Sequence, residues 1–253
     1  MPIRKAFTLM ELLVVISIIV LLIAMLQPSI NSARKHARTV KCLSQLQQIG
    51  RASDAYSVDN NSMVARDHWF NCLDPNQPGN YRHFSFLGRY SGYLNGPSVP
   101  LSADADGSQV ELHAAAQAID VWRCPSETNP AYALTYIVNG VDFDHYSSNG
   151  TYTSGAMSSI EKLPGSPSEI MYMSEANTIN YQSPTSYGIY DVFTANKFIF
   201  FGGVATPAPR MISAHDTKHI NSAPILFFDQ HADAIQMTPD NFPMRMLNPL
   251  DPN

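Results

Sequence analysis

The chain has 253 residues, 45% hydrophobic and only 15% charged, with a formal net charge of −5 and a pI near 5.8. That balance excludes the overall basic footprint of a nucleic-acid-binding protein, and with 18 prolines it has the look of a loop-rich β-containing domain outside the cytoplasm. The length suffices for a membrane helix plus one or two globular units.

The chain opens with Arg4-Lys5-Ala6-Phe7-Thr8-Leu9-Met10-Glu11 and continues as an apolar run from Leu12 to Leu26, in which Ser17 is the only polar side chain. Phe7 to Leu26 is twenty residues, the length that spans the hydrocarbon core as a helix. Glu11 stands out, because a carboxylate in hydrocarbon costs about 2.5–3.5 kcal/mol even on lenient insertion scales. It needs a partner. No A-x-A cleavage site follows the apolar run, so an ordinary secretory signal fits poorly.

This segment resembles the N-terminal signal of type IV pilins and type II secretion pseudopilins. The resemblance implies that a prepilin peptidase cuts between Ala6 and Phe7 and methylates the new Phe7 amine. Glu11 then becomes the fifth residue of the mature chain, the place of the family's acid, and Pro28 becomes the twenty-second, where many pilins carry a helix-loosening proline. The departure is Ala6, where the family has Gly, and it bears on cleavage efficiency. The implied role of Glu11 is assembly: it pairs with the Phe7 amine of a neighbouring subunit, and a buried charge that is paired is tolerated. Arg4 and Lys5 are outnumbered by Arg34, Lys35, Arg38 and Lys41 beyond the span. Orientation therefore rests on the resemblance rather than on charge.

The helix is expected to continue past the span. Ile30, Ala33, Ala37, Val40, Leu43, Leu46, Ile49, Ala52 and Tyr56 recur at intervals of three and four, the stripe of an amphipathic helix laid against a head domain. Pro28 should kink or locally melt it, and Asp59-Asn60-Asn61 should end it near Val58. Ala33-Arg34, Cys42, Leu46-Gln47-Gln48-Ile49-Gly50 and Tyr56 also resemble one branch of the pilin-like superfamily.

Beyond the helix, His83–Leu94 reads as a short helix stopped by Asn95-Gly96-Pro97. Asp104-Ala105-Asp106-Gly107 reads as a solvated turn rather than a calcium loop, because the downstream ligands are missing. Ser108 and Glu111 form a capping box for a helix to about Ile119. Trp122-Arg123-Cys124-Pro125-Ser126 resembles the Cys-Pro-Ser turn of the same branch, with Trp122 as a core anchor. Strands are expected at Ala131–Val138, Glu169–Ser174 and Lys197–Phe201, with a hairpin from Ile225–Phe228 and Ala232–Met237. Asp142, Asp144 and His145 make a polar loop of the kind that exposed loops often show. The cysteines are Cys42, Cys72 and Cys124, and three cannot all pair within one chain. Three buried or free thiols is the favoured reading; if an exported domain forms a pair, Cys72 with Cys124 is the better one, because Cys42 lies on the helix.

Near the C-terminus, His219 precedes Asp229 by nine intervening residues. This resembles the H-x9-DG signature that closes the branch, with Gln230 in place of Gly. In such a turn Gln costs on the order of 1 kcal/mol or forces a different turn. The functional reading is that His219, Asp229 and His231 meet and hold a metal or polarise a water; the residue types suit zinc. The structural reading is that Asp229 bonds turn amides while His219 packs on the hairpin and donates to a carbonyl. No other catalytic motif is present, neither a nucleophile elbow nor a phosphate-binding loop.

The expected fold class is α+β: a leader at 1–6, a long helix at 7–58 with its membrane segment at 7–26, and a head at 59–253 built on an antiparallel sheet. The expected function is a non-enzymatic structural subunit of a pilus-like or pseudopilus filament. It sits in the inner membrane as a single-pass chain before assembly and in a periplasmic or surface filament afterwards. Its implied partners are prepilin peptidase, like subunits and the membrane, with no nucleic acid and no required cofactor, calcium or zinc in the head being the exception to test. The alternative is a membrane-anchored binding module or metal-dependent enzyme that uses His219, Asp229 and His231.

Overall fold

The computed structural model describes residues 8–65, 68–69, 82–83, 85–97, 117–127, 135–139, 143, 157–175, 219, 222–236, 244–247 and 249–250. Its first element, α1 (Leu9–Asp59), is one helix of 51 residues, about 77 Å long at ~1.5 Å per residue. Thr8 begins it in extended backbone. The Glu11 N–H donates to Thr8 Oγ1 at 3.2 Å, and the Thr8 N–H donates back to Glu11 Oε2 at 2.9 Å. This reciprocal capping box satisfies two donors that a helix start otherwise leaves unpaired. At the other end the Asn60 amide donates to the Tyr56 carbonyl at 2.8 Å. Asn61 and Ser62 then turn left-handed, at φ 54° and 60°, which ends the helix.

The helix runs through Pro28 without a break. The local melting expected there is absent from the single chain. Proline removes one N–H from the ladder and crowds the carbonyl of Ala24, and the long helical runs on either side hold that one rung in place.

The two halves of α1 have different surroundings. Every residue from Leu9 to Leu26 is exposed, with Leu9, Met10, Val20 and Met25 between 65% and 81% exposed. Among the described residues this is the one helix long and apolar enough to cross a membrane. From Thr39 onward one face packs on the head. The apolar stripe is as expected from Leu46 through Ile49, Ala52 and Tyr56, all buried. Upstream it is not: Ile30 and Val40 are exposed, and the buried positions are Thr39, Cys42 and Gln45. These polar side chains turn inward because each finds a hydrogen-bond partner in the head, and burial of a partnered polar group is tolerated.

The head is α+β. Its main sheet has four antiparallel strands in the order β4-β6-β7-β8, formed by β4 (Tyr136–Val138), β6 (Met171–Glu175), β7 (Ala223–Phe227) and β8 (Ala232–Ile235). There are also two small antiparallel pairs: β1 (Met63–Ala65) with β5 (Met157–Ser159), and β2 (His68–Trp69) with β3 (Arg82–His83). A short helix α2 (Ser85–Ser91) leads into a 3₁₀ turn that stops at left-handed Asn95. A second 3₁₀ turn spans Asp120–Trp122, and α3 (Met244–Leu247) lies near the end. Strands β6 and β7 are buried along their whole length, and α1 packs on β7 and β8. The Trp122 ring is fully buried and meets Phe86 edge-on, centroids 5.7 Å apart.

A chain of hydroxyls ties helix to sheet inside this core. Ser53 Oγ of α1 lies 3.0 Å from Tyr90 Oη, which lies 2.6 Å from Tyr172 Oη of β6. The Ala65 N–H donates to Tyr90 Oη at 2.9 Å, and Tyr172 Oη donates to the Ala65 carbonyl at 2.5 Å. Each hydroxyl in this chain thereby has a partner, which offsets the cost of burying it.

The β7–β8 hairpin resolves the two options open to Gln230. The Gln230 N–H donates to the Phe227 carbonyl at 2.9 Å, the Phe227 N–H donates to the His231 carbonyl at 3.0 Å, and Gln230 has φ 71°. The loop is thus a three-residue turn whose last residue is left-handed. Gln230 occupies the left-handed position that favours Gly, so the strain of a non-glycine residue there remains. The hairpin also leans on α1: a Cβ added at Gly50 would come within 3.0 Å of both Gln230 Cβ and Leu226 Cδ1. Glycine there gives the turn room to approach the helix.

The expected helix at Ser108–Ile119, apart from its last residues, lies outside the described residues. So do the strand at Lys197–Phe201, the turn at Asp104–Gly107, the polar loop at Asp142, Asp144 and His145, and Ala6, Phe7 and Cys72. Replacing Gly50 with Leu is expected to lower the stability of the docked head by about 1–3 kcal/mol through overpacking. Denaturant melts of the full chain in detergent measure this; an unchanged midpoint would show that the hairpin does not rest on the helix there.

Candidate functional site

Two places concentrate chemistry. The first is the exposed end of α1. Glu11 is the acid in this apolar half, and its Oε2 accepts both the Thr8 N–H and the Thr8 hydroxyl, each at 2.9 Å. The carboxylate is therefore held by its own helix start. The sequence signal for this was Thr8-x-x-Glu11, a capping box that the reading of Glu11 as an assembly residue passed over.

The second place is a buried polar cluster between α1 and the sheet. Four side chains converge there: Cys42 from α1, Cys124 from the turn after the 3₁₀ segment Asp120–Trp122, Glu175 from the end of β6, and His219 from the turn before β7. One ligand-capable atom from each lies within 4.8 Å of all the others. Their relative exposures are 0%, 1%, 0% and 0%. His219 Nε2 is 2.5 Å from Glu175 Oε2 and 3.1 Å from Cys124 Sγ. Cys42 Sγ is 3.8 Å from Glu175 Oε2.

Each of these groups is also held from outside. The Thr39 hydroxyl donates to the Lys35 carbonyl at 3.1 Å, so at 3.1 Å it accepts from His219 Nδ1–H. That fixes the imidazole with Nε2 turned to the cluster. Tyr136 Oη lies 3.0 Å from Cys42 Sγ and donates to Gln45 Oε1 at 3.0 Å, while Gln45 Nε2 donates to the Asp120 carbonyl at 2.8 Å. The Ser126 N–H donates to Cys124 Sγ at 3.3 Å, and the Cys124 N–H donates to Thr135 Oγ1 at 2.7 Å. The Cys124-Pro125-Ser126 turn thus aims an amide at the sulfur.

The electrostatics follow from this geometry. Burial pushes the Cys42 thiol well above its ordinary range, with the Cys124 thiol and the Glu175 carboxylate adding to the shift. Burial also works against the Cys124 thiolate, but hydrogen bonds from Cys42 and His219 overcome it and bring Cys124 down to about 4. For His219 burial acts against the proton, and the Cys124 and Glu175 partners hold it, up to about 10. Burial drives the Tyr136 phenol well up.

Of the two readings of His219, Asp229 and His231, the structure has the Asp229 bond to a turn amide and not the shared site. His219 does not meet Asp229 and His231. It lies inside with Cys42, Cys124 and Glu175, whereas Asp229 and His231 are 37% and 46% exposed on the hairpin turn. There the His231 N–H donates to Asp229 Oδ1 at 3.2 Å and Nδ1 lies 2.5 Å from the same oxygen. The His231 ring stacks on Phe227 at 4.1 Å. One side chain cannot reach both a surface turn and the core beneath α1. Cys124 sits beside Cys42, and both are free, buried thiols; Cys72 lies outside the described residues. Cys42 lies on the face of α1 that docks on the head.

Over 61 residues the chain is 43% identical to the type IV wide pilus major component PilA4 of Thermus thermophilus, a match covering 24% of this chain. The chain spans about half the length of that curated relative, 47%. No family model and no solved structure matches the chain. The partial match supports a pilin-like chain.

Two of the shifted groups, Cys124 and His219, act on the pH dependence of the metal-free chain in opposite directions. Raised from 6.5 to about 10, His219 contributes stability that is complete below pH 6.5 and lost as pH rises through about 10. Lowered from 9.0 to about 4, Cys124 contributes stability that is complete above pH 9 and lost as pH falls through about 4. The opposing slopes cancel in between, so stability should be highest across pH 6.5 to 9. Denaturant midpoints measured with a chelator present test this, and a maximum below pH 6 would contradict it.

Proposed function

We propose that this chain is a non-catalytic structural subunit of a type IV pilus-like or secretion pseudopilus filament, anchored in the inner membrane through α1 before assembly. The observation that carries this reading is the state of the helix. From Leu9 to Leu26 its large apolar side chains are exposed all round and none is buried against the described residues of the head. An exposed apolar surface of that size is stable only in lipid or against other apolar helices. A filament core made of such helices meets the second condition, and the partial likeness to a pilus component supports it.

In this reading prepilin peptidase removes residues 1–6 and the Phe7 amine is methylated. The head, 59–253, then faces outward as a periplasmic or surface decoration. Glu11 changes partner on assembly. In the single chain its carboxylate accepts from Thr8; in the filament it accepts from the Phe7 ammonium of a neighbour. Such a charge-assisted bond in a low-dielectric core is stronger than the capping bond it replaces. Like subunits are the main partner, and no part of the reading involves nucleic acid.

Two substitutions separate capping from assembly. Glu11→Gln keeps a capping-box acceptor but removes the charge, and should abolish filament formation while leaving the head folded. Thr8→Ala removes the cap, at a cost of about 1 kcal/mol, but keeps the charge and should still assemble. Counting filaments by electron microscopy in the native host decides this; wild-type assembly by Glu11→Gln would sink the charge-pair mechanism. N-terminal mass spectrometry of the host protein should show methylated Phe7 as the first residue.

A further inference from the structure

We propose that Cys42, Cys124, Glu175 and His219 form a zinc site that staples α1 to the sheet. The site does not depend on the filament reading, since it concerns how the head holds its own helix.

The donor set selects the metal. Two sulfurs, one imidazole nitrogen and one carboxylate oxygen suit zinc, whereas calcium and magnesium take oxygen ligands. A tetrahedral zinc with bonds of about 2.0–2.3 Å places its ligand atoms roughly 3.3–3.8 Å apart. The observed 3.8 Å between Cys42 and Glu175 fits that frame, and the 3.1 Å between Cys124 and His219 has to open by a few tenths of an ångström. The 2.5 Å between His219 and Glu175 opens once a cation replaces the proton between them.

The surroundings also have the form of a metal site. A ligating imidazole normally donates its other N–H to an outer partner that fixes its orientation, and His219 Nδ1 does so to Thr39. The Ser126 amide aimed at Cys124 Sγ favours a thiolate there. All four ligands come from the protein and all four are buried, the arrangement of a closed structural site rather than one with an open position for substrate.

The ligands lie at positions 42, 124, 175 and 219, in four different elements. No unfolded chain presents them together, so the binding free energy of the metal is folding free energy. The only ligand outside the head's own strands and turns is Cys42. The staple therefore fixes α1 against the sheet at the point where the helix first meets it.

The test uses the full chain, purified in detergent from cells grown with zinc. Elemental analysis should find one zinc per chain in the wild type and less than a tenth of that in Cys124→Ser and His219→Gln. Thr39→Val should retain zinc with affinity weakened about 10- to 100-fold, as loss of an outer partner does. Because those ligand variants can misfold, the wild type supplies an independent readout. A chelator should lower its thermal midpoint, and zinc chloride, but not calcium chloride, should restore it. Cobalt in place of zinc should give the intense visible bands of a tetrahedral thiolate site. Folded wild type without zinc, zinc unchanged in Cys124→Ser, or a Cys42–Cys124 disulfide in the mass spectrum of the isolated protein would each overturn the proposal.

Discussion

One unbroken helix has to satisfy two incompatible surroundings, and the rest of the molecule answers to that constraint. Its first half is apolar on every side and belongs in hydrocarbon or among its own kind. Its second half has to give up part of its surface to a sheet. No interruption separates the two; the helix passes through Pro28 as a single rod. What changes along it is the chemistry of the inward face. Before Thr39 no residue of the helix is fully buried, and from Thr39 there is an inward face, which begins polar and becomes apolar at Leu46.

That polar start is unusual for a docking helix, and the head is arranged around it. Gln45 reaches the backbone at Asp120, Cys42 reaches Tyr136, and Thr39 reaches His219. Further along, Ser53 joins the tyrosine network that ends on β1 and β6. A helix held by grease alone could slide by a turn with small loss, since one apolar contact resembles the next. Directional bonds remove that freedom, because a shifted register leaves buried groups unpaired at about 1–3 kcal/mol each. Rotational and axial register of the rod on the head is thus set by hydrogen bonds, and the apolar part of the face supplies the adhesion.

The sequence made the coarse design legible and hid its most chemical part for a physical reason. The membrane-length run, the helix end at Asp59-Asn60-Asn61, the stop at Asn95, the Trp122 anchor and the β7–β8 hairpin follow from local patterns, and the structure has each of them. The stripe between Ile30 and Leu43 was misread because periodicity counts apolar residues, and the buried residues there are Thr39 and Cys42. The cluster was invisible for a related reason. Its members are separated by tens of residues, so no spacing rule gathers them, and Glu175 lies at the end of a strand with nothing local to mark it. His219 did draw notice, but its sequence neighbours on the hairpin suggested the wrong companions. Only the packing of α1 on β7 and β8 brings the four together.

The free stretch of α1 from Leu9 to Arg38 is thirty residues, close to 45 Å at ~1.5 Å each, and it is clamped at one end only. Geometrically it is a lever. A tilt of about five degrees at the clamp sweeps the far tip through roughly 4 Å over that length, more than the reach of one hydrogen bond. The carboxylate of Glu11 rides at that tip. How accurately it can be aimed is consequently decided far away, by the stiffness of the joint around Thr39 and Cys42, so that small distortions deep in the head become large errors of aim at the other end of the rod.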